Sequence, residues 1–308
     1  MSEVKYTTVS VQLPTCNRKA TLAKCIEALF KQTFPTECME IVVIDDGSTD
    51  GTEEYLNYTA KQSPVTMKCI RQCNQGTARA RNTGILATDK EIILMIDDDV
   101  LAVPDLITEH MGWHNRFKEE STAILGYITW SPEVLVDDFM WWCENGGPLT
   151  RYHLIQSKQE VGFEFFYSGN VSLKRTFLQA NLFDPDFYFG FDDLELGYRL
   201  SKQGLRILYN KQAVGYHYSR FDADKLVKRL AAVAVSARVL HHKWPELVDR
   251  VGRPRPLLLL KLAKIISFLI YPLAKLLNWK RAIYHYRYQN RLSTAYAKAY
   301  FQTKQTAV

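Results

Sequence analysis

Short apolar runs alternate with amphipathic stretches through the first hundred residues. Thr8 to Leu13 reads as a strand stopped by Pro14, and Thr21 to Gln32 carries Leu22, Ile26, Leu29 and Phe30 at helical spacing. A second strand, Glu40 to Ile44, runs into Asp45-Asp46-Gly47-Ser48-Thr49-Asp50. A helix starting near Thr52 and a strand from Val65 to Ile70 follow. Gly76 to Leu86 reads as a helix leading into Glu91 to Ile96, an unbroken apolar run of the kind buried on both faces of a sheet. This βαβ rhythm predicts an α/β fold with a mostly parallel, doubly wound sheet.

Beyond residue 120 the pattern is less regular. Thr122 to Trp130 and Phe165 to Leu173 have strand character. Residues 131–166 are rich in aromatics and turn formers (Trp141, Trp142, Gly146, Gly147, Pro148), the composition of a substrate-binding loop. Two tryptophans there serve core packing equally well. Asp192 to Gln203 predicts a helix with acids at its start, Arg199 and Lys202 late, and Gly204 placed to end it. Asp222 to His242 presents Leu226, Leu230, Val233, Ala237 and Leu240 on one helical face.

After Arg253-Pro254-Arg255-Pro256 comes Leu257 to Trp279, strongly apolar but punctuated by lysines. Lys261, Lys264 and Lys275 fall within about 60° of one another at about 100° per residue, and Ser267, Tyr271 and Asn278 extend that stripe. The longest charge-free run, Ile265 to Ala274, is well short of the ~20 residues that span a bilayer. Residues 257–279 are therefore expected to lie in the headgroup region of an anionic membrane surface. A tilted span with snorkelling lysines, or docking on another protein, is the alternative.

Charge sharpens that division. All 33 acidic residues lie at or before Asp249, whereas 12 of the 39 basic residues follow it. An acidic body with a basic end seeks an anionic surface. The expected organisation is an α/β body over 1–220, a helical connector over 221–252 and a basic amphipathic tail over 253–308. The six cysteines lack metal-ligand spacing, and no signal peptide precedes the first strand, so free thiols in a cytoplasmic protein, peripherally attached to the membrane, are expected. The Tyr-rich basic tail is the sole hint of nucleic-acid binding, and its apolar helix points to lipid instead.

The strongest chemical signal is Asp97-Asp98-Asp99 at the end of that buried strand. Three successive carboxylates repel one another and lose hydration, so they persist where a cation neutralises them. The carboxyl edge of an open α/β sheet is where such folds bind ligands, which predicts a metal-assisted site for an anionic substrate. His217, ending a strand-like run, would give that cation a nitrogen ligand and favour Mn²⁺; as a lone histidine it reads equally as a packed one. Carboxylates in the segment from Asp45 to Asp50 can bond a nucleobase or ribose, or the segment is a turn capping the next helix. Arg79 and Arg81 in the first turns of a helix oppose its dipole, which implies a negative group nearby unless both are solvated. Asp192 and Asp193 enter a helix, where one can serve as a general base or both can simply complement the dipole.

In this order, the pieces resemble the family-2 glycosyltransferases, which have the nucleotide-diphospho-sugar transferase (GT-A) fold. The likeness covers roughly residues 7–220. It rests on Val9-Ser10-Val11 with Pro14-Thr15-Cys16-Asn17-Arg18, Val42 to Asp50, Gly76 with Ala80-Arg81-Asn82, the Asp97/Asp99 pair, Ser168-Gly169-Asn170, and Phe191 to Leu196 with Arg199-Leu200. The resemblance implies transfer, with inversion, of one hexose or N-acetylhexosamine from a nucleotide-diphosphate sugar, most commonly a UDP-sugar, to a hydroxyl of a glycan or lipid-linked acceptor. It implies donor contacts from Pro14, Thr15, Asn17, Asp46, Arg81, Asp97, Asp98 and Asn170. Asp99 and His217 would hold a divalent Mn²⁺ or Mg²⁺. Asp193 would be the catalytic base with Asp192 beside it, although the family's usual pair begins with the longer Glu. The chain lacks the Gln-x-x-Arg-Trp element and the several spans of polysaccharide synthases, so a single addition is expected. A sugar nucleotidyltransferase, or a sugar- or membrane-binding scaffold with an inactive transferase fold, is the alternative.

Overall fold

A computed structural model describes residues 7–156 and 159–302. The chain forms two compact units, one of residues up to 135 with 154–185 and 192–219, the other of 136–153, 186–191 and 220 onward. Residues 303–308 of the expected tail lie outside the described residues.

The first unit is built on a nine-stranded sheet. Its strands are β1 (Val9–Thr15), β2 (Met39–Asp45), β3 (Thr66–Arg71), β4 (Ile92–Ile96), β5 (Val100–Ala102), β6 (Thr122–Trp130), β7 (Glu160–Val161), β8 (Asn170–Lys174) and β9 (Arg206–His217). Their order is β3-β2-β1-β4-β8-β6-β9-β5, with β7 on β9. The parallel, crossover-connected part comprises β3, β2, β1 and β4. Beyond it the sheet is mixed: β8 is antiparallel to β4 and β6, and β5 and β7 are antiparallel to β9. β1 continues through Pro14 to Thr15, contrary to the expected stop. β4 pairs only with Val9 to Gln12, so Pro14 has an edge-like setting that tolerates a missing N–H.

Helices α1 (Lys19–Phe30), α2 (Thr52–Gln62), α3 (Thr77–Leu86) and α4 (Leu106–Arg116) join these strands. Leu22, Ile26 and Leu29 of α1 are buried against Val9, Val11, Leu13, Ile92, Leu94 and Ile96, the core that the apolar runs predict. A Leu or Ile fully removed from water contributes about 1.5–3 kcal/mol, so this layer holds the carboxyl edge of the sheet rigid.

The second unit is helical: α5 (Asp138–Glu144) with, further along the chain, α8 (Ala223–Lys243), α9 (Leu257–Leu276), α10 (Lys280–Tyr284) and α11 (Asn290–Gln302). Between the α5 and α8 segments of the chain run two helices of the first unit, α6 (Arg175–Gln179) and α7 (Asp192–Ser201). Phe139, Trp142 and Cys143 form a core with Tyr284 and Leu292, so Trp142 is a packing residue and unavailable for stacking on a sugar. The expected connector and tail thus pack as one body with a segment the sequence assigned to the catalytic stretch. Along α9 only Leu260 and Ala274 are buried.

Candidate functional site

Strand adjacency assembles the site. β1 and β4 run parallel side by side, so the loops after both strands meet, and Thr15 and Arg18 reach the acid triplet. The Thr15 hydroxyl donates to Asp98 Oδ2 at 2.7 Å. Arg18 places Nη1 3.1 Å from Asp98 Oδ1, and its Nη2 contacts both Asp99 Oδ2 and the Ser219 hydroxyl. β5 pairs with β9 so that Val100 faces His217, which sets His217 Nε2 3.3 Å from Asp99 Oδ2. Trp130 backs the imidazole edge-on, its centroid 5.0 Å away.

The three acids have three fates. Asp98, expected at the donor, is buried, and its carboxylate is taken by Thr15 and Arg18, which tie it into the loop. Burial pushes its pKa up to about 7 against the pull of Arg18. Burial acts in the same sense on Asp99, but His217 and Arg18 outweigh it and hold that carboxyl below its ordinary range. Asp97 remains half exposed at the rim.

Arg81, on α3, is 1 % exposed, and its Nη2 donates to Asp97 Oδ1 at 2.6 Å. Its Nε and Nη1 have no hydrogen-bond partner among the described residues. The negative group that the helix N-terminal arginines required is therefore Asp97, with Asp192 and Asp193 also close enough to feel the guanidinium.

β4 lies antiparallel to β8 with Ile96 opposite Asn170, so the turn before β8 adjoins the acid run. Gly169 accepts the Asp97 N–H at 3.4 Å, and a Cβ on Gly169 would stand 2.8 Å from Asp97 Oδ2. Ser168 N–H donates to Asp193 Oδ2 at 3.0 Å, while Asp193 Oδ1 is buried with no partner among the described residues. Gly190 (φ +78°) and Phe191 (φ +63°) turn the backbone left-handed immediately before Asp192 opens α7. Burial and the neighbouring Asp193 charge push Asp192 up to about 7. Burial also raises Asp193, against Arg81 and the Ser168 N–H.

Asn170, expected at the donor sugar, bonds within the sheet. It is fully buried, and its amide donates to the carbonyls of Ala213 (2.9 Å) and Tyr127 (3.3 Å), where the β6–β9 register shifts. A bulge leaves such carbonyls without ladder partners, and Asn170 supplies them. Its Oδ1 accepts from His110 Nε2 at 2.9 Å, and Ser172 joins His110 Nδ1 to His114 Nε2, each at 2.8 Å. Gly126 is required beside it, since a Cβ there would meet Asn170 Nδ2 at 2.2 Å.

At the other end of the edge Asp46 is nearly buried. Its carboxylate accepts from Gln72 Nε2 (2.8 Å) and the N–H groups of Gln75 and Gly76 (both 2.9 Å), shaping the loop before α3. Asn17 (φ +54°) accepts from Thr49 N–H at 2.7 Å and ties the β1–α1 loop to the turn after β2. Pro14 and Thr15 lie on the strand between these loops and the triplet.

Among the described residues no three His, Cys, Asp or Glu side chains converge as a complete cation cage. Asp99 and His217 offer one oxygen and one nitrogen, a partial set that fits a divalent ion taking its remaining ligands from phosphate and water. Arg18, Gly169, Ser168 and Ser219 were not assigned roles from sequence. The signal for Arg18 was present, since buried acids demand a counter-charge, but finding it needed the β1–β4 adjacency.

Residues 10–131 match the family described as "Glycosyl transferase family 2". Validoxylamine A glucosyltransferase of Streptomyces hygroscopicus subsp. jinggangensis is 29% identical over 231 residues, covering 67% of this chain and 54% of that protein. The chain thus spans about half the length of that relative. A dolichyl N-acetyl-α-D-glucosaminyl phosphate 3-β-D-2,3-diacetamido-2,3-dideoxy-β-D-glucuronosyltransferase of Methanococcus voltae is 22% identical over 247 residues, 76% of this chain and 74% of that protein. Among solved structures, the mannosyltransferase PcManGT of Pyrobaculum calidifontis, in complex with GDP-Man and Mn²⁺, superposes with a TM-score of 0.58. It is 18% identical and covers 99% of this chain and 77% of its own. At that identity the likeness is one of fold, the GT-A fold.

Proposed function

We propose that this chain, whose residues 10–131 match glycosyl transferase family 2, moves one sugar from a nucleotide-diphosphate donor to an acceptor hydroxyl, with inversion and with Asp193 as general base. The observation that carries this reading is Asp193 itself. One carboxylate oxygen is fixed by Ser168 N–H and the other is buried with no partner among the described residues, within the field of Arg81. A held carboxylate with a bare oxygen is what accepting a proton from an incoming hydroxyl requires.

Each of the remaining groups takes a part. Arg81 has two unpartnered buried N–H groups beside Asp97 and binds diphosphate or ribose oxygens. Asp97, at the rim, accepts from the donor's ribose or sugar hydroxyls. Asp46, Pro14, Thr15 and Asn17 form the base- and ribose-binding end of the edge. Asp99 and His217 would hold Mn²⁺ or Mg²⁺, which when bound neutralises the departing diphosphate. The acceptor oxygen bonds to the anomeric carbon as the carbon–phosphate oxygen bond breaks on the opposite face. The hydroxyl proton goes to Asp193, and the nucleoside diphosphate leaves. UDP-sugars are the first donors to test, and a glycan or lipid-linked hydroxyl is the acceptor class.

The chain also associates with a cytoplasmic membrane face through α9. Leu258, Leu262, Ile265, Leu269, Leu273 and Leu276 share one face at about 100° per residue and are all exposed. By length and composition this helix can also cross a membrane. The lysines flanking the apolar face favour a helix lying in the interface.

Incubating the chain with UDP-, GDP- and dTDP-sugars and following nucleoside-diphosphate release tests the transfer reading. Release from one donor that needs Mn²⁺ or Mg²⁺ and rises with acceptor is expected. No release from any donor would leave a scaffold, and pyrophosphate-dependent nucleoside-triphosphate formation would make it a nucleotidyltransferase.

A further inference from the structure

A cavity of about 460 Å³ opens in the helical unit, within the roughly 300–1,000 Å³ of small-molecule sites. Arg253, Arg255, Arg281, His285, Asn290 and Leu260 line it, and no carboxylate does. No acid follows Asp249 in the sequence, and among the described residues only Arg253 of the three arginines has a carboxylate partner, the exposed Asp249. Asn290 is 95% buried, its exposure being 5%, and its Nδ2 has no partner among the described residues.

The cavity is held in shape. The Tyr296 hydroxyl donates to the carbonyl of Gly252 at 2.6 Å, and His241 Nε2 bonds the carbonyl of Val251 at 2.7 Å. These fix the segment that presents Arg253 and Arg255. Burial, then the charges of Arg255 and Arg281, lower the His285 pKa. Uncompensated cations held around a partly desolvated donor call for an anion with several acceptor oxygens. Leu260 and Ala263 belong to α9, so the same cavity abuts the helix whose outer face is an exposed apolar strip.

We propose that this cavity binds the terminal phosphate of a lipid whose chains lie along α9. The site rests on the reading of α9 as a membrane-surface helix and adds to it a recognised headgroup. A terminal phosphomonoester or diphosphate offers more charge and more acceptor oxygens than the phosphodiester of an ordinary anionic lipid.

The test uses the full chain and co-sedimentation with vesicles of phosphatidylcholine alone, with phosphatidylglycerol, or with phosphatidic acid at matched surface charge. Wild type should bind phosphatidic acid vesicles about tenfold more tightly than phosphatidylglycerol vesicles, the effect of one or two lost charge-assisted hydrogen bonds. Arg255→Gln with Arg281→Gln, and separately Asn290→Leu, should remove that preference while keeping the wild-type melting temperature. Equal binding of the two anionic vesicles by wild type, or an undiminished preference in the variants, overturns the headgroup site and leaves the α9 reading standing. Binding to no vesicle overturns both. Inorganic pyrophosphate binding the lipid-free chain as tightly as vesicles do would make this a soluble-anion site and overturn the lipid assignment.

Discussion

Arg81 Nη2 stands 2.6 Å from Asp97 Oδ1, with the arginine 1 % exposed and the carboxylate side chain 46 % exposed. The pair therefore reaches from the interior to the rim, and its two ends answer to different forces. The guanidinium has left water and depends on Asp97 for its charge partner. The carboxylate keeps one side open to a ligand.

Arg81→Gln is expected to lower both stability and donor affinity. Removing one member of a fully buried pair costs about 3–5 kcal/mol, and an exposed pair about 0–1, so about 2 kcal/mol is expected here. Asp97→Asn should cost as much or more, because it leaves the buried cation unpaired. Urea unfolding measures the first effect and equilibrium binding of a nucleoside diphosphate the second. A variant unchanged in both would detach Arg81 from the site.

Asp193→Asn should abolish transfer while sparing donor binding, because an amide cannot take the proton. Asp192→Asn tests the neighbour as a positioning residue. Burial raises the proton affinity of both, and the Asp193 charge raises that of Asp192 further. Asp192 therefore holds its proton while Asp193 titrates, and replacing it with a neutral amide should leave the acid limb of the rate profile in place. An acid limb moved by Asp192→Asn would show that Asp192 carries charge while Asp193 titrates.

Arg18 bridges Asp98 and Asp99 of the acid triplet. A divalent ion on Asp99 and His217 must share or displace that contact. Arg18→Gln should therefore tighten Mn²⁺ binding several-fold while lowering the melting temperature of the cation-free protein, since Asp98 and Asp99 lose a counter-charge. Asp99→Ala should abolish metal-dependent donor binding. Titration of Mn²⁺ followed by thermal shift reads both variants. Equal Mn²⁺ affinity in wild type, Arg18→Gln and Asp99→Ala would remove the ion from this place.

His110 is fully buried between Asn170 and Ser172, and burial lowers its pKa to about 4; His114 is lowered for the same reason. Unfolded, a histidine titrates near 6.5, so between pH 6.5 and 4 the unfolded chain binds the extra proton. Stability from this residue is present above about pH 6.5 and lost as the pH falls. Relative to pH 7, wild type should lose about 3 kcal/mol by pH 4 that His110→Gln does not lose. Other acids titrate in the same range, so the difference between the two proteins is the quantity to measure. Parallel stability curves would mean that His110 is not held neutral.

Much of the first unit was legible because its rules are local. The apolar run before Asp97 could only be an inner strand, and β6 spans Thr122–Trp130 as its pattern predicts. The acid triplet marked the site for the same local reason. Its internal division was not legible. Whether Asp98 faces a ligand or Arg18 depends on β1 lying beside β4, and a sheet's strand order is a long-range property. The bonding of Asn170 was not legible for a related reason: the bulge whose carbonyls its amide serves belongs to the β6–β9 pair, a long-range feature. The tail misled through packing, since its helices share a core with Phe139 and Trp142.

That shared core changes how the membrane reading is tested. Deleting residues 253–308 would strip Tyr284 and Leu292 from Phe139, Trp142 and Cys143, and the exposed core would confuse any binding result. Leu262→Glu with Leu269→Glu is cleaner, since both side chains are exposed on the outer face of α9. Each leucine contributes about 1.5–3 kcal/mol when buried in lipid, so the pair should weaken binding to anionic vesicles at least tenfold with the melting temperature unchanged. Raising salt from 0.05 M to 0.5 M should weaken wild-type binding as well, because the flanking lysines act through a screened field. A double variant that still co-sediments like wild type would mean that another surface of the chain holds the membrane.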